Sequence, residues 1–201
     1  MKHSTTTTIP TLVAICLLFL ATISNAWGEG GRTRQAEAGS DALFVSMEAR
    51  RHVEGGQKME QERNLSGAIA SYSKAASLDP NSAEVHFALG EALTKADRYQ
   101  EALVRYTLAV TIAPQHKKAL YGRSQLCLRM KLYAQACKDL SQLIELMPGV
   151  ADYHYQRATT LMKMKSITEA YHDFLRAHEL DKKYPRPSLI WKKNSGAMKV
   201  A

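Results

Sequence analysis

The stretch AEVHFALGEALTKADRYQEALVRYTLAVTIAPQH, residues 83–116, decides the fold because its pattern recurs along the chain. Pro80, Pro114 and Pro148 are 34 residues apart, and this spacing defines four units, 49–82, 83–116, 117–150 and 151–184. Each unit contains two amphipathic segments of about a dozen residues, separated by a short polar turn. The proline near the end of a unit stops the second segment, because it lacks an amide donor. The pattern predicts an all-α protein built from helical hairpins.

Small and large residues recur at fixed positions of each unit, which we number 1 to 34. The small residues at position 8 are Gly56, Gly90, Ser124 and Ala158, and those at position 20 are Ala68, Ala102, Ala136 and Ala170. The large residues at position 24 are Tyr72, Tyr106, Leu140 and Phe174. Small residues let the two helices of a hairpin approach closely, and the large side chain fills the gap beside them. One hairpin cannot bury its apolar side alone, so neighbouring hairpins must stack.

This 34-residue pattern resembles that of the tetratricopeptide repeat (TPR) family over residues 49–184. The resemblance implies an α-solenoid, a right-handed superhelix of four helix-turn-helix repeats, in which the first helix of each unit lines a concave groove. The first unit departs from the pattern at Gly55 and Gly56, which both weaken helix propensity. We therefore expect a first helix that is irregular or that starts early, near Ser40.

The resemblance also implies a peptide-binding or client-binding groove on the first helices. Its candidate residues are Val53, Gln57, Phe87, Glu91, Tyr121, Gln125, Leu128, Tyr155, Thr159 and Met162. They form an aromatic stripe flanked by polar side chains, which suits an extended or unfolded polypeptide. The alternative is that the rings at position 5 are packing elements. The carboxylate clamp that some family members use for acidic chaperone tails is not expected, because only Lys118 matches it.

The N-terminus has the layout of a secretory signal. Residues 11–23 form an uncharged apolar run, and small residues precede the expected cleavage site after Ala26. The alternative is a membrane anchor, although a spanning helix needs about 20 apolar residues. We therefore expect a signal peptide at 1–26, a linker and helix lead-in at 27–48, repeats at 49–184 and a basic tail at 185–201, with no membrane span after signal removal. Asn64 begins a glycosylation sequon, Asn-Leu-Ser.

The composition provides little support for catalysis. No nucleophile, phosphate-loop or metalloprotease motif occurs, so we expect a protein that is not an enzyme and needs no cofactor. The histidines at position 4 are His52, His86 and His154, which we interpret as packing residues rather than as metal ligands. After signal removal Cys127 and Cys137 remain, either as a possible disulfide or as two buried thiols. The formal charge of +8 lies mainly in residues 182–201, which carry six basic and no acidic residues, so no nucleic-acid partner is expected.

A narrower resemblance points to the luminal TPR co-chaperones of the endoplasmic reticulum, although this chain lacks the His-Pro-Asp triplet of their J domain. The leading hypothesis is a protein-binding module that holds unfolded or extended clients in the lumen of the endoplasmic reticulum. Secretion from the cell is the alternative location. The alternative function is a non-catalytic assembly scaffold for one folded partner. The sequence leaves the oligomeric state open. In the tail, Leu189, Ile190 and Trp191 either cap the last helix or belong to a disordered segment.

Overall fold

The computed structural model describes residues 46–187, and this range is helical throughout except for short turns. Helix α1 covers 46–61 of the described residues. The helices that follow are α2 (Leu65–Leu78), α3 (Ala83–Lys95), α4 (Tyr99–Ile112), α5 (Lys117–Arg129), α6 (Tyr133–Leu146), α7 (Ala151–Lys163) and α8 (Ile167–Leu180). They pair in chain order, which confirms the all-α fold of four helix-turn-helix repeats. The signal at 1–26, nearly all of 27–48 and the apolar tail residues 189–191 lie outside the described range.

Every turn inside a hairpin uses the same backbone device at position 15. Arg63, Asp97, Lys131 and Lys165 have φ angles of 59°, 57°, 61° and 65°, in the left-handed region. In each turn the amide of the next residue then donates to the carbonyl of the residue five positions before it, as Arg98 does to Leu93 at 2.9 Å. This bond satisfies a carbonyl that the end of the first helix leaves open. As a result, only three residues separate the end of the first helix from the start of the second.

The ring at position 24 is held by the small residues around it. A Cβ atom on Gly56 would lie 2.6 Å from the nearest atom of the Tyr72 ring, and one on Gly90 would lie 2.9 Å from Tyr106. Gly122, in the next unit, closes on the same Tyr106 ring, where a Cβ would meet it at 2.8 Å. The close approach predicted from positions 8 and 24 is therefore present. An irregular first helix was one of two alternatives and is wrong, because α1 runs unbroken through both glycines; the other alternative, an early start, agrees with a helix that is already formed at residue 46, before the unit begins at 49.

Buried ion pairs join the two helices of the third and fourth hairpins. The Arg123 Nε and Nη2 groups donate to the two carboxylate oxygens of Asp139, at 2.9 and 2.7 Å. Arg157 makes the equivalent pair of bonds to Asp173, at 2.7 and 2.8 Å, and a third to Ser141 at 2.9 Å. Such two-pronged pairs fix both distance and orientation. The acids stand 16 residues after the arginines, so each pair belongs to one hairpin.

Two of the position-4 histidines tie successive units together. The Nε2 group of His86 donates to the carbonyl of Pro80 at 3.0 Å, and that of His154 donates to Pro148 at 3.1 Å. Both rings are buried. Each histidine therefore binds the backbone carbonyl of the proline that follows the second helix of the preceding unit. Within 46–187, no group of three or more His, Cys, Asp or Glu side chains is placed to bind a metal ion.

Candidate polypeptide-binding groove

The first helices of successive hairpins lie side by side. Helix α3 contacts α5 directly, and side chains of α5 bond to side chains of α7. The candidate groove residues are distributed along these helices: Val53 and Gln57 on α1, Phe87 and Glu91 on α3, Tyr121, Gln125 and Leu128 on α5, and Tyr155, Thr159 and Met162 on α7. The arrangement differs along the row, because some of these side chains are covered by other parts of the chain.

Phe87 is covered by a ring from the end of its own unit. The centroid of the His116 ring lies 5.4 Å from that of Phe87, and Tyr106 lies on another side at 6.1 Å. Phe87 is only 8% exposed. The His116 Nε2 group also donates to Glu84 at 3.0 Å, while its Nδ1 atom accepts the Ala119 amide and caps α5. Phe87 is thus held mainly as a packing element.

Tyr155 is covered in the same manner by Tyr184, which follows α8. The two rings stack with centroids 4.7 Å apart and planes 29° apart, and the Phe174 ring meets Tyr155 edge-on at 5.5 Å. The Tyr184 hydroxyl donates to the Asp152 Oδ1 atom at 3.0 Å. In both units, therefore, a ring at position 34 covers the ring at position 5 and bonds to the acid at position 2.

Tyr121 forms the centre of the uncovered part of the groove. It is partly exposed and meets the Tyr153 ring at 5.8 Å. Its hydroxyl accepts a bond from Gln156 Nε2 at 3.2 Å, and the same amide nitrogen donates to Asp152 Oδ2. The Oε1 atom of the Gln156 side chain accepts a bond from Gln125 Nε2. Side chains of α5 and α7 thus form a polar network beside an aromatic pair.

The remaining candidates differ in their surroundings. Val53 packs against the core, Gln57 is exposed, and Leu128 and Met162 are half-buried. Thr159 donates to the Gln156 backbone carbonyl at 2.8 Å. The pKa of Glu91 is raised, chiefly by desolvation, although Lys95 and Lys118 act in the opposite direction. The structure therefore brings Tyr121, Gln125 and the edge of α7 together, and it leaves Gln57 outside that network.

Several residues that shape the groove were missed from the sequence, namely His116, Asp152, Tyr153 and Tyr184, whereas Gln156 was expected among the polar side chains beside the aromatic stripe. The periodic signal was present, since positions 2, 5 and 34 hold acid, ring and ring in units two and four. Position 34 falls in a loop between units, and the helical pattern gives no direction for a loop side chain. The contact could therefore be proposed only by aligning the units on these three positions.

The structure contains Cys127 and Cys137 as free thiols, so the possible disulfide is not formed. Cys127 is buried in its own hairpin, whereas the Cys137 sulfur faces Met164 of the next hairpin at 3.8 Å. Burial raises the pKa of Cys127 to about 11 and also raises that of Cys137. Both thiols therefore remain protonated at neutral pH and behave as small apolar side chains.

Comparison with known proteins supports this architecture. Residues 61–97 match the TPR repeat family. No curated protein matches the chain. Within the described range, no helix is both long and apolar enough to cross a bilayer.

Solved structures resemble the chain in fold at low sequence identity. MamA 41-end from Desulfovibrio magneticus RS-1 is 20% identical with a TM-score of 0.63, covering 68% of this chain and 77% of its own. YrrB, described as a TPR protein with an unusual peptide-binding site, is 17% identical with a TM-score of 0.64. The match covers 73% of this chain and 77% of YrrB. The first TPR of Spaghetti (RPAP3), bound to the HSP90 peptide SRMEEVD, is 21% identical with a TM-score of 0.55, covering 60% and 98%. The match to the TPR repeat family thus covers residues 61–97, and the solved structures show that the chain shares the fold of such repeats.

Proposed function

We propose that this protein binds extended or unfolded polypeptide segments along α5 and α7, in the manner of a co-chaperone. The observation that carries the proposal is the network of Tyr121, Gln125 and Gln156 on α5 and α7, two helices that also carry half-buried Leu128 and Met162. An extended segment needs partners for its backbone amides and carbonyls as well as apolar contact for its side chains. Glutamine side chains offer both a donor and an acceptor.

Gln125 is the residue best placed to meet a ligand backbone. Its Nε2 group makes one bond, to Gln156, and its carbonyl oxygen accepts none from the described residues. One further N–H and the oxygen therefore remain for a ligand. Tyr121 adds a rigid ring with few torsions to order, which suits binding that tolerates many sequences. This arrangement favours loose recognition of polypeptide over recognition of one small molecule.

Two of the similar proteins support a peptide as the ligand class. YrrB is described as having a peptide-binding site, and the RPAP3 repeat binds an acidic HSP90 peptide. Of the residues that form the carboxylate clamp for acidic chaperone tails in other family members, this chain has only Lys118. We therefore propose a ligand that is recognised through its backbone and apolar side chains instead. The signal-like N-terminus supports a place in the secretory pathway, and we propose the lumen of the endoplasmic reticulum.

The test is suppression of aggregation of chemically denatured clients by the full chain, produced in a secretory host. We compare the parent with a Tyr121→Ala/Gln125→Ala variant and with Gln100→Ala, a matched control because Gln100 is exposed on α4. Each true anchor contributes about 1–2 kcal/mol, so the double variant should need at least tenfold more protein for equal protection. Melting temperatures show whether each variant is folded. A folded double variant that protects several unrelated clients as well as the parent does would refute the groove as the site.

A scaffold for one folded partner remains the second candidate, and one observation favours it. Val104, Leu108 and Ile112 are 58%, 38% and 37% exposed and form an apolar ridge along α4. The first two of the equivalent positions on α6 hold Lys138 and Gln142, so the ridge is particular to the second hairpin. Protection of only one client, lost in Leu108→Glu but kept in Tyr121→Ala/Gln125→Ala, would favour the scaffold.

A further inference from the structure

Residues 181–187 follow α8, and the turn at Asp181–Tyr184 places the Tyr184 side chain against α7. Tyr184 stacks on Tyr155 and donates to Asp152 Oδ1. Its backbone carbonyl accepts a bond from His178 Nδ1 at 2.7 Å, and the Arg186 Nε group donates to His178 Nε2 at 3.2 Å. The Tyr184 side chain therefore meets a groove ring with its face and a groove acid with its hydroxyl, which are the two contacts that a tyrosine of a bound peptide could make in its place.

In the second unit the ring at position 34 also caps a helix, whereas Tyr184 caps none that the structure describes. His116 lies between α4 and α5, and its Nδ1 atom caps α5 through the Ala119 amide. Removing that ring from Phe87 would therefore disturb a helix start. Tyr184 follows the last described helix and caps none of the described helices. Lys182, Lys183, Pro185 and Arg186 around it are exposed.

Tyr184 is also connected to the centre of the groove. The two oxygens of Asp152 are divided between Tyr184 and Gln156, and Gln156 in turn bonds to Tyr121 and Gln125. The position of the Asp152 carboxylate thus depends on what occupies the Tyr155 face. A ligand lying along α5 and α7 would reach this face directly from the Tyr121 region.

We propose that Tyr155 and Asp152 form a subsite for a tyrosine side chain, occupied by Tyr184 in the free protein and by a tyrosine of the extended ligand in the complex. The inference rests on the proposed function and deepens it, since it names a side chain that the groove prefers. The ring of Tyr155 provides a stacking surface, and Asp152 accepts from a phenol. A phenylalanine would lose the hydrogen bond, and a phosphotyrosine would bring its anion against the carboxylate.

The tethered segment competes with ligand in a manner that can be measured. A group held by a short linker has an effective concentration in the millimolar range. A single tyrosine in a short peptide binds weakly, so Tyr184 should raise the apparent Kd of such a peptide several-fold. Removal of the Tyr184 ring should lower that Kd and expose the subsite while leaving the Tyr155 ring and the Asp152 carboxylate available to the peptide.

The probe is the heptapeptide Asp-Lys-Lys-Tyr-Pro-Arg-Pro, which copies residues 181–187, capped at both ends and followed by NMR titration against the full chain. We expect binding to Tyr184→Ala that is about three- to tenfold tighter than binding to the parent. Binding to Tyr155→Ala/Tyr184→Ala should be at least tenfold weaker than binding to Tyr184→Ala. The phenylalanine form of the peptide should bind more weakly than the tyrosine form.

Tyr184→Phe provides a second variant that keeps the stacked ring and removes only its hydroxyl. It should have an affinity for the heptapeptide between those of the parent and Tyr184→Ala. Equal affinity of all chains for the tyrosine and phenylalanine peptides, or no gain in Tyr184→Ala over the parent, would overturn the subsite. Protection of denatured clients by the parent is measured separately. If protection is observed while the heptapeptide fails, the subsite is wrong and the proposed groove stands.

Discussion

The Arg123–Asp139 pair should give one of the largest stability changes available from a single substitution. The Asp139 side chain has no solvent exposure, and that of Arg123 is 9% exposed. Arg123→Met keeps a long apolar side chain but removes the two guanidinium donors that lie 2.9 and 2.7 Å from the Asp139 carboxylate oxygens. Among the described residues, the remaining side-chain donor to Asp139 is then Gln135 Nε2, at 3.4 Å. Removing one partner of a buried pair costs about 3–5 kcal/mol. For a chain of this size that lowers the melting temperature by about 6–20 °C.

The assay is urea and thermal unfolding followed by circular dichroism at neutral pH. Arg123→Met/Asp139→Leu is the decisive second variant, because replacing a whole buried pair by apolar side chains is often nearly neutral. It should recover most of the stability that Arg123→Met loses. Arg157→Met is the matched comparison in the next hairpin. The Arg157 side chain is 25% exposed, so water can reach its partner Asp173 more easily and the loss should be smaller.

Two results would refute this reasoning. A loss below about 1 kcal/mol in Arg123→Met would mean that the carboxylate of Asp139 does not depend on its guanidinium partner. A double variant as unstable as Arg123→Met would mean that shape, and not uncompensated charge, is responsible.

Four further predictions concern the turns, the glycines, a thiol and the N-terminal region. Gly55→Ala should raise the free energy of unfolding by about 0.5–1 kcal/mol, since a Cβ there meets nothing within 4 Å, whereas Gly56→Ala should lower it by about 1–3 kcal/mol through overpacking. Lys131→Gly should stabilise by about 0.5–1 kcal/mol in urea unfolding because its φ is 61°, and a loss would contradict this account of the turn. Burial raises the folded pKa of Cys127 to about 11 from an ordinary value of 9.0. The contribution of this thiol to stability should therefore be intact below pH 9 and fall by up to about 1.4 kcal/mol per pH unit between pH 9.0 and about 11. Cys127→Ala should reduce that slope. Secreted protein should shift in mobility after glycosidase treatment and not in Asn64→Gln; an unshifted parent would rule out the glycan.

The helical hairpins could be predicted from the sequence because their causes are local and periodic. Small residues at position 8 and rings at position 24 predicted the contacts of Gly56 with Tyr72 and of Gly90 with Tyr106. Even there, the sequence suggested an irregular α1, because glycine has a low intrinsic helix propensity. At residue 56, however, the closeness of the Tyr72 ring leaves no room for a Cβ atom, so packing requires glycine. Packing between helices outweighed the intrinsic preference at that position.

The candidate groove could be predicted only in part, because contacts between units depend on how loops direct their side chains. The spacing identified Phe87, Tyr121 and Tyr155 as equivalent, yet only Tyr121 lacks a ring from position 34 over it. The ion pairs were also not foreseen, although an arginine at position 7 and an acid at position 23 recur in units three and four. Such a pair can be foreseen only when both positions are compared together, because an arginine alone does not indicate which acid it will meet.

The four left-handed turn residues also have a consequence for how the sequence can drift over evolutionary time. Arg63, Asp97, Lys131 and Lys165 are all exposed, so contacts with neighbours impose little selection on their side chains. Their backbone geometry does impose selection, because β-branched residues and proline are strongly disfavoured at positive φ. Homologous sequences should therefore admit Gly, Asn, Asp and long polar residues at position 15, and exclude Val, Ile, Thr and Pro. A surface that looks free to vary is thus restricted by its main chain.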